Sequence, residues 1–217
     1  MYYCNKDCQK KDWKIHKHEC KIFKRCQRLP DLKRRMILRL FLTLKHFPEK
    51  ITQQYKIPGT DPPQYRNYDD LRNIQKEVKK DQELFQYFKE VFREFNQIGI
   101  DCDRKELFDC FCKIVGNSFI IEDGDKKRTT LPIGLSIFVL ETIFEHSCNP
   151  NADLIFYGHN IEVRAIKKIS PGEKITISYV DLKNSKITRQ EMLQKKFITC
   201  SCSKCTGDEG KFLFNCF

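Results

Sequence analysis

The sequence predicts an α+β protein, with a helical N-terminal half followed by a β-rich C-terminal half. Up to about residue 115, apolar side chains recur at the spacing of amphipathic helices. After Gly116 the pattern changes to short β-branched and aromatic segments separated by turn residues. The 12 cysteines are a third signal, because they fall into an N-terminal, a central and a C-terminal group.

Four helices are predicted in the N-terminal half. The segment from Cys8 to Cys20 contains no Pro or Gly, and it places His16 and Cys20 four residues apart on one helical face. A polar, Pro-rich loop is expected at 48–68. The other helices are predicted at 32–47, from Asp69 to about Ile98, and from about Arg104 to Val115.

The C-terminal half predicts short strands with one helical interruption near residues 135 to 144. The polar segment 124–130 is expected to be a turn. A final helix is predicted from a capping box formed by Thr188 and Glu191. The predicted strands are 117–123, 152–157, 161–166 and 174–180.

Composition restricts the class of protein. No apolar stretch approaches the roughly 20 residues that span a bilayer, and the N-terminus lacks a secretory apolar segment, so a soluble intracellular protein without a membrane partner is expected. The formal net charge is +11, and residues 1–50 hold 15 Lys and Arg against 5 Asp and Glu. This basic quarter is either a solvated face or a weak nucleic-acid-binding surface, and no nucleic-acid motif accompanies it.

The C-terminal cysteines predict a zinc site. Cys200, Cys202 and Cys205 form a C-x-C-x2-C run, and three thiolates on so short a loop repel one another unless a soft cation holds them. Tetrahedral zinc needs a fourth ligand, and Cys148 is the best candidate. The alternative is three buried free cysteines without a metal.

A second candidate metal site lies near the N-terminus. Cys4, Cys8, His16 and Cys20 follow a C-x3-C-x7-H-x3-C pattern. By count these residues can close one Cys3His site. They can equally belong to two half-sites, and spacing alone does not separate the two arrangements.

Five stretches together resemble one protein family. Residues 2–20 look like the second half of a MYND zinc finger, while "GNSF", "EHSCNPN", "GEKITISYVD" and "CSCSKC" follow in the order of core SET and post-SET motifs. The chain thus resembles the SET-and-MYND-domain protein lysine methyltransferases. The resemblance implies a partial MYND finger, a helical SET insert, a core SET domain and a post-SET segment, at residues 1–20, 21–115, 116–182 and 183–217.

The resemblance also implies an activity. Such enzymes transfer a methyl group from S-adenosylmethionine to a lysine of a histone or another protein, in the nucleus, the cytoplasm or both. The core is expected to close as a pseudoknot, with the "ITISY" segment beside the "EHSC" segment. A proline-rich peptide is an expected partner of the finger.

Individual roles follow from the matched positions. Tyr179 matches the catalytic tyrosine, and Phe197 matches the wall of the lysine channel, where the family usually has a tyrosine pair. Cys148 is expected to join the zinc ligands of the post-SET loop. Five residues are expected to contact or line the cofactor site: Asn117, Thr142, Phe144, Glu145 and His146.

The sequence departs from the family pattern in several places. It starts inside the finger, without the SET strands and the glycine-containing cofactor loop that precede the finger in the family. Glu145 stands where the family most often has Asn, and a carboxylate accepts but does not donate hydrogen bonds. We therefore expect weak or no turnover from these 217 residues. The alternative hypothesis is an inactive, zinc-dependent protein-interaction module.

Overall fold

A computed structural model describes residues 3–26, 29–122, 132–157 and 160–207. The chain divides into two compact units, and the predicted turn at 124–130 lies outside the described residues. Unit 1 comprises Met1–Ile120 with Gly134–Leu140, and unit 2 comprises Ile121–Ile133 with Glu141–Phe217. Among the described helices, none has the length and apolarity required to cross a membrane.

Unit 1 is mainly helical, as the sequence predicts. The predicted loop at 48–68 contains a short helix and a two-residue antiparallel strand pair, β1 (Tyr55–Lys56) with β2 (Tyr65–Arg66). The helices are α1 (Lys6–Phe23), α2 (Leu32–His46), α3 (Glu49–Thr52), α4 (Gln75–Lys80), α5 (Gln82–Gln97) and α6 (Arg104–Asn117), with a 3-10 turn at Tyr68–Asp70.

The single helix predicted from Asp69 to Ile98 is wrong, because the chain forms two helices there. Asp81 separates them, and its carboxylate accepts a hydrogen bond from the Leu84 amide at 2.9 Å. An Asp at this position caps the new helix more favourably than it would continue the old one. The helical spacing of apolar residues does not reveal this break, since such residues recur at that spacing on both sides of Asp81.

Aromatic packing forms much of the unit 1 core. Phe88 is 1% exposed, and its ring centroid lies 4.7 Å from that of Phe108 and 5.6 Å from that of Phe111. In α2, the buried face includes Ile37, Leu38, Phe41 and Leu42, while Leu32 at the start of the helix is 41% exposed.

The described residues of unit 2 form short strands and two helices. The antiparallel pair of β6 (Ala152–Tyr157) and β7 (Asn160–Ala165) confirms two predicted strands. The helical piece predicted near 135–144 is wrong in part, because β4 (Pro132–Ser136), which pairs with β3 (Phe119–Glu122), covers its start. Only a 3-10 turn at Glu141–Ile143 remains there.

Two distant segments pair in parallel within unit 2. Strand β5 (Glu145–His146) lies beside β8 (Thr176–Ile177), with Glu145 opposite Thr176 and His146 opposite Ile177. The Ser147 amide extends the pairing by donating to the Ile177 carbonyl at 2.9 Å. The "EHSC" segment thus lies next to the "ITISY" segment, as expected.

Helix α7 (Lys186–Gln194) begins one turn earlier than predicted. Ser185 is the N-cap, and its hydroxyl accepts a hydrogen bond from the Thr188 amide at 3.2 Å. The capping box assigned to Thr188 is therefore wrong, because that residue lies inside the first turn. The short helix α8 (Ser203–Thr206) follows.

Candidate metal centre and active site

Four cysteines converge in unit 2. Their sulfur atoms all lie within 4.8 Å of one another, and they form the one group of three or more potential metal ligands found among the described residues. The four are Cys148, Cys200, Cys202 and Cys205, as predicted. In a zinc tetrathiolate with bonds of about 2.3 Å, neighbouring sulfurs are about 3.8 Å apart, so this cluster fits the ion.

The chemistry of the cluster also suits a metal. All four cysteines are free thiols, and Cys148 is only 1% exposed. Burial by itself would raise the pKa of Cys202, but hydrogen bonds from the Cys200 thiol, the Ser147 hydroxyl and nearby amides lower it to about 6. A thiolate, the form that binds zinc, is therefore favoured at one position even without the ion.

Local structure brings these thiols together. Cys148 follows β5 directly, while the other three follow the turn that ends α7. In that turn Phe197 adopts a left-handed conformation with φ of 56°, which is unusual for a bulky residue. Gln190 on α7 then holds Cys200, since its side-chain amide donates to the Cys200 carbonyl at 2.7 Å.

His146 connects the metal centre to Tyr179. The Tyr179 amide donates to Nδ1 of His146 at 3.0 Å, so the ring proton resides on Nε2. Nε2 lies 3.2 Å from the Cys148 sulfur, to which it donates. Burial, with a smaller effect of the Arg189 charge, lowers the pKa of His146 to about 4, which keeps the ring neutral near pH 7. The sequence suggested a cofactor contact for His146 but not this bridge.

Tyr179 is held at both ends. Its backbone is fixed by His146, and its hydroxyl donates to the Phe144 carbonyl at 2.5 Å. The ring packs against the apolar cluster that contains Cys148, Leu193, Cys200 and Cys205. A hydroxyl oxygen that donates once keeps lone pairs for accepting further contacts.

Three other predicted cofactor residues lie within four positions of His146. Thr142 belongs to the 3-10 turn, and Phe144 offers its carbonyl to Tyr179. Glu145 is exposed and pairs with the Lys174 ammonium at 2.9 Å. An exposed pair of this kind contributes little to stability, so the Glu145 carboxylate is readily available to another cation.

Asn117 belongs to unit 1, where its side chain is fully engaged. Its carbonyl oxygen accepts from the Arg72 amide at 3.0 Å, and its amino group donates to the carbonyls of Arg72 and Lys113 at 2.9 Å each. These bonds tie the end of α6 to the segment before α4. The cofactor contact of Asn117 stays a prediction.

The N-terminal candidates form two separate pairs. The sulfurs of Cys4 and Cys8 are 3.5 Å apart, and the Cys20 sulfur lies 2.9 Å from Nε2 of His16. Eight residues of one helix separate Cys8 from His16, a rise of about 12 Å. The structure therefore does not bring all four residues around one point.

His16 is nevertheless oriented as a metal ligand would be. Its Nδ1 lies 3.0 Å from the Glu19 carboxylate, which leaves the lone pair of Nε2 facing Cys20. Carboxylate partners of this kind commonly orient ligand histidines. Glu19 is fully buried and also binds Arg35 and Arg39, at 3.4 Å and 2.7 Å.

Two buried polar residues of unit 2 have roles that were not predicted from the sequence. Asn151 fastens the loop before β8 by accepting from the Thr176 amide at 2.8 Å and donating to Glu173 and the Lys174 carbonyl. The positive charge of Arg189 on α7 interacts with the thiols of Cys148 and Cys205. Its position four residues before the buried Leu193 was a usable signal, because residues at that spacing share a helical face.

The chain matches a known domain family whose expected features are consistent with this fold and this site. The model of the SET domain matches residues 3–180, which is most of the chain. The chain therefore belongs to the SET domain family.

Individual relatives extend this likeness over almost the whole chain. The chain is 30% identical over 227 residues to the histone-lysine N-methyltransferase SMYD3 of Mus musculus, covering 95% of this chain and 49% of that protein. It is 32% identical to the N-lysine methyltransferase SMYD2 of Gallus gallus, covering 96% and 46%. It is 30% identical to the histone-lysine N-methyltransferase ASHR1 of Arabidopsis thaliana, covering 95% and 42%. The chain thus spans about half the length of these curated relatives.

Proposed function

We propose that the protein is a protein-lysine N-methyltransferase that uses S-adenosylmethionine. The observation that carries this proposal is the position of Tyr179, whose backbone is hydrogen-bonded to His146 and whose hydroxyl is anchored on Phe144. The lysine-methyltransferase activities named for the relatives support the same conclusion. The lysine acceptor belongs to a histone or another protein, and the site of action is the nucleus, the cytoplasm or both.

The chemistry makes modest demands on the protein. When bound, S-adenosylmethionine would supply a sulfonium-bound methyl group. A neutral lysine amine would attack the methyl carbon in line, so that the N–C bond forms as the C–S bond breaks and S-adenosylhomocysteine leaves. Such a reaction depends on alignment and on a dry channel more than on a strong base. The residues of the chain therefore act chiefly by positioning.

Tyr179 is the proposed catalytic residue. Because its hydroxyl proton is directed at the Phe144 carbonyl, its oxygen presents lone pairs that can accept weak C–H hydrogen bonds from a methyl group. The same oxygen can orient the incoming amine. Phe197, held in its left-handed turn, is the proposed apolar wall of the lysine channel.

The proposed cofactor contacts of unit 2 lie at 142–146, the segment that hydrogen-bonds Tyr179 through His146 and Phe144. Glu145 can accept a hydrogen bond from the ammonium group of the cofactor in exchange for its exposed pair with Lys174. Thr142, Phe144 and His146 contribute to the same site in this proposal. Asn117 keeps its proposed cofactor role from the family resemblance alone.

We assign the four-cysteine cluster to a structural zinc ion. Four protein ligands leave no open position on a tetrahedral ion, which is typical of structural rather than catalytic zinc. The ion would hold the turn after α7 against Cys148 and so support Tyr179 from behind. In the N-terminal segment, the Cys4–Cys8 and His16–Cys20 pairs are proposed as halves of MYND-type sites, with a proline-rich peptide as partner.

A second candidate function is a zinc-dependent protein-interaction module without turnover. Phe197 and Ile198 stand where a tyrosine pair is expected to wall the channel, so a phenolic hydroxyl is absent from that part of the sequence. This observation agrees with the weak turnover that we expect.

The test is transfer of labelled methyl groups from S-adenosylmethionine to a mixture of histones by the zinc-loaded chain. Tyr179→Phe is the matched variant, since it removes one hydroxyl and keeps the ring. A rate that is measurable in the wild type and about 100-fold lower in the variant supports the enzyme. Equal background rates in both proteins, with zinc bound to both, would favour the interaction module.

A further inference from the structure

Arg189 is a buried cation, and its residue is 4% exposed. No carboxylate in the described part of the chain lies within 4.0 Å of its guanidinium. One Nη atom donates to the Asn184 carbonyl at 2.6 Å, while Nε is buried and has no hydrogen-bond partner among the residues that the structure describes. Burying a charge is costly unless an opposite charge or several hydrogen bonds compensate it.

The remaining partners of Arg189 are sulfur atoms. Its positive charge interacts with the thiols of Cys148 and Cys205, two members of the four-cysteine cluster. Helix geometry explains the approach, because Leu193 lies one turn further along α7 and packs against the same cysteines. The face of α7 that carries Arg189 therefore faces the cluster.

A zinc ion bound by four thiolates would have a net negative charge that a guanidinium can offset. Four thiolates around one Zn²⁺ carry a net charge of about −2, and such a charge is poorly stabilised in a buried site. Nε2 of His146 also faces the cluster, but this ring accepts the Tyr179 amide at Nδ1 and therefore carries one proton and no charge. Arg189 brings a full positive charge that interacts with two of the four cysteines.

We propose that Arg189 is the counter-ion of the four-cysteine centre. Its guanidinium offsets part of the negative charge of a zinc tetrathiolate and so raises the affinity of the site for the metal. This inference rests on the zinc site proposed above, but it does not depend on methyl transfer. Arginine suits the position better than lysine, because its planar fork can reach both sulfurs and the Asn184 carbonyl at once.

The experiment measures zinc affinity by competition with a chromogenic chelator. Arg189→Met removes the charge and keeps an apolar stem, Arg189→Lys keeps the charge, and Lys195→Met removes an exposed cation from the end of the same helix. We expect Arg189→Met to weaken zinc binding by about 10- to 100-fold, the range seen when outer-shell partners of a metal are removed. Arg189→Lys should lose less, and Lys195→Met should bind zinc as the wild type does.

A purely structural role of Arg189 predicts a different pattern. If the guanidinium only supported the fold, Arg189→Met would lower the urea midpoint of the metal-free chain as much as that of the zinc-loaded chain. We expect the loss only in the zinc-loaded chain, because the metal-free thiols do not need the same counter-charge. Equal losses in both forms, or an unchanged zinc affinity of Arg189→Met, would overturn the proposal. A wild-type chain that binds no zinc would overturn it too, whatever its methyltransferase activity.

Discussion

The N-terminal and C-terminal cysteine groups look alike in sequence but differ in three dimensions. In unit 2, Cys148 and the three cysteines at 200–205 come from segments about 50 residues apart, and they converge within 4.8 Å. In unit 1, Cys8, His16 and Cys20 share the single rigid helix α1, which keeps its two pairs about 12 Å apart. A closed metal site requires separate chain segments to meet, whereas one helix can supply only two neighbouring ligands to one ion.

The two regions also differ in what compensates their buried charge. Around Glu19 in unit 1, Arg35 and Arg39 balance a carboxylate that also lies in hydrogen-bonding distance of His16. Around the cysteines in unit 2, one arginine faces sulfur atoms that a metal would convert to thiolates. Removing a ligand or an ion-pair partner should therefore have different consequences in the two regions.

The largest effect is expected from breaking the four-cysteine centre. Cys202→Ser should abolish tight zinc binding there and destabilise unit 2 by about 4 kcal/mol or more, because structural zinc contributes directly to folding. Elemental analysis and urea unfolding measure the two effects. Cys102→Ser, which changes a cysteine of unit 1 outside any cluster, is the control. Retention of the zinc by Cys202→Ser would contradict the assignment of its ligands.

A smaller effect is expected from breaking the ion-pair network of unit 1. Glu19→Gln leaves Arg35 and Arg39 without their buried carboxylate and should cost about 3 kcal/mol. The control is Asp101→Asn, since the pair of Asp101 with Lys45 is exposed and should contribute under about 1 kcal/mol. Urea unfolding followed in unit 1 provides the measurement. The amount of zinc bound at the four-cysteine centre should equal that of the wild type. Loss of zinc from Glu19→Gln would contradict the expectation that the two regions respond independently.

The smallest effect is expected at the start of α7, the helix that carries Arg189 and Gln190 to the cysteines. Ser185→Ala removes the capping hydroxyl and should lower the stability of unit 2 by about 1 kcal/mol. Thr188→Ala should cost less, because Thr188 lies within the first turn. Thermal unfolding of both variants compares them directly. A larger loss of stability in Thr188→Ala than in Ser185→Ala would contradict the assignment of Ser185 as the N-cap.

Much of the fold was predictable from local pattern. The helical N-terminal half and the β6–β7 pair follow from apolar periodicity, because each element buries one face. The break at Asp81 and the start of α7 at Ser185 were not predicted, since each depends on which of two nearby polar side chains takes the cap. The helix predicted near residues 135 to 144 does not form at its start, because residues there belong to β4 and pair with β3. Pairing between strands outweighs local helix propensity at this position.

By itself, the sequence determined the kinds of chemistry available to this protein. It identified the cysteines able to bind a soft metal, the order of the SET motifs and the tyrosine that carries the proposed activity. Only the tertiary structure decided which of these groups meet. The parallel pairing of β5 with β8 places His146 beside Tyr179. Helix α7 and the turn after it bring Arg189 and three thiols close to Cys148. Such contacts join residues more than 30 positions apart, and they arise from packing and hydrogen bonding between segments rather than from any local pattern.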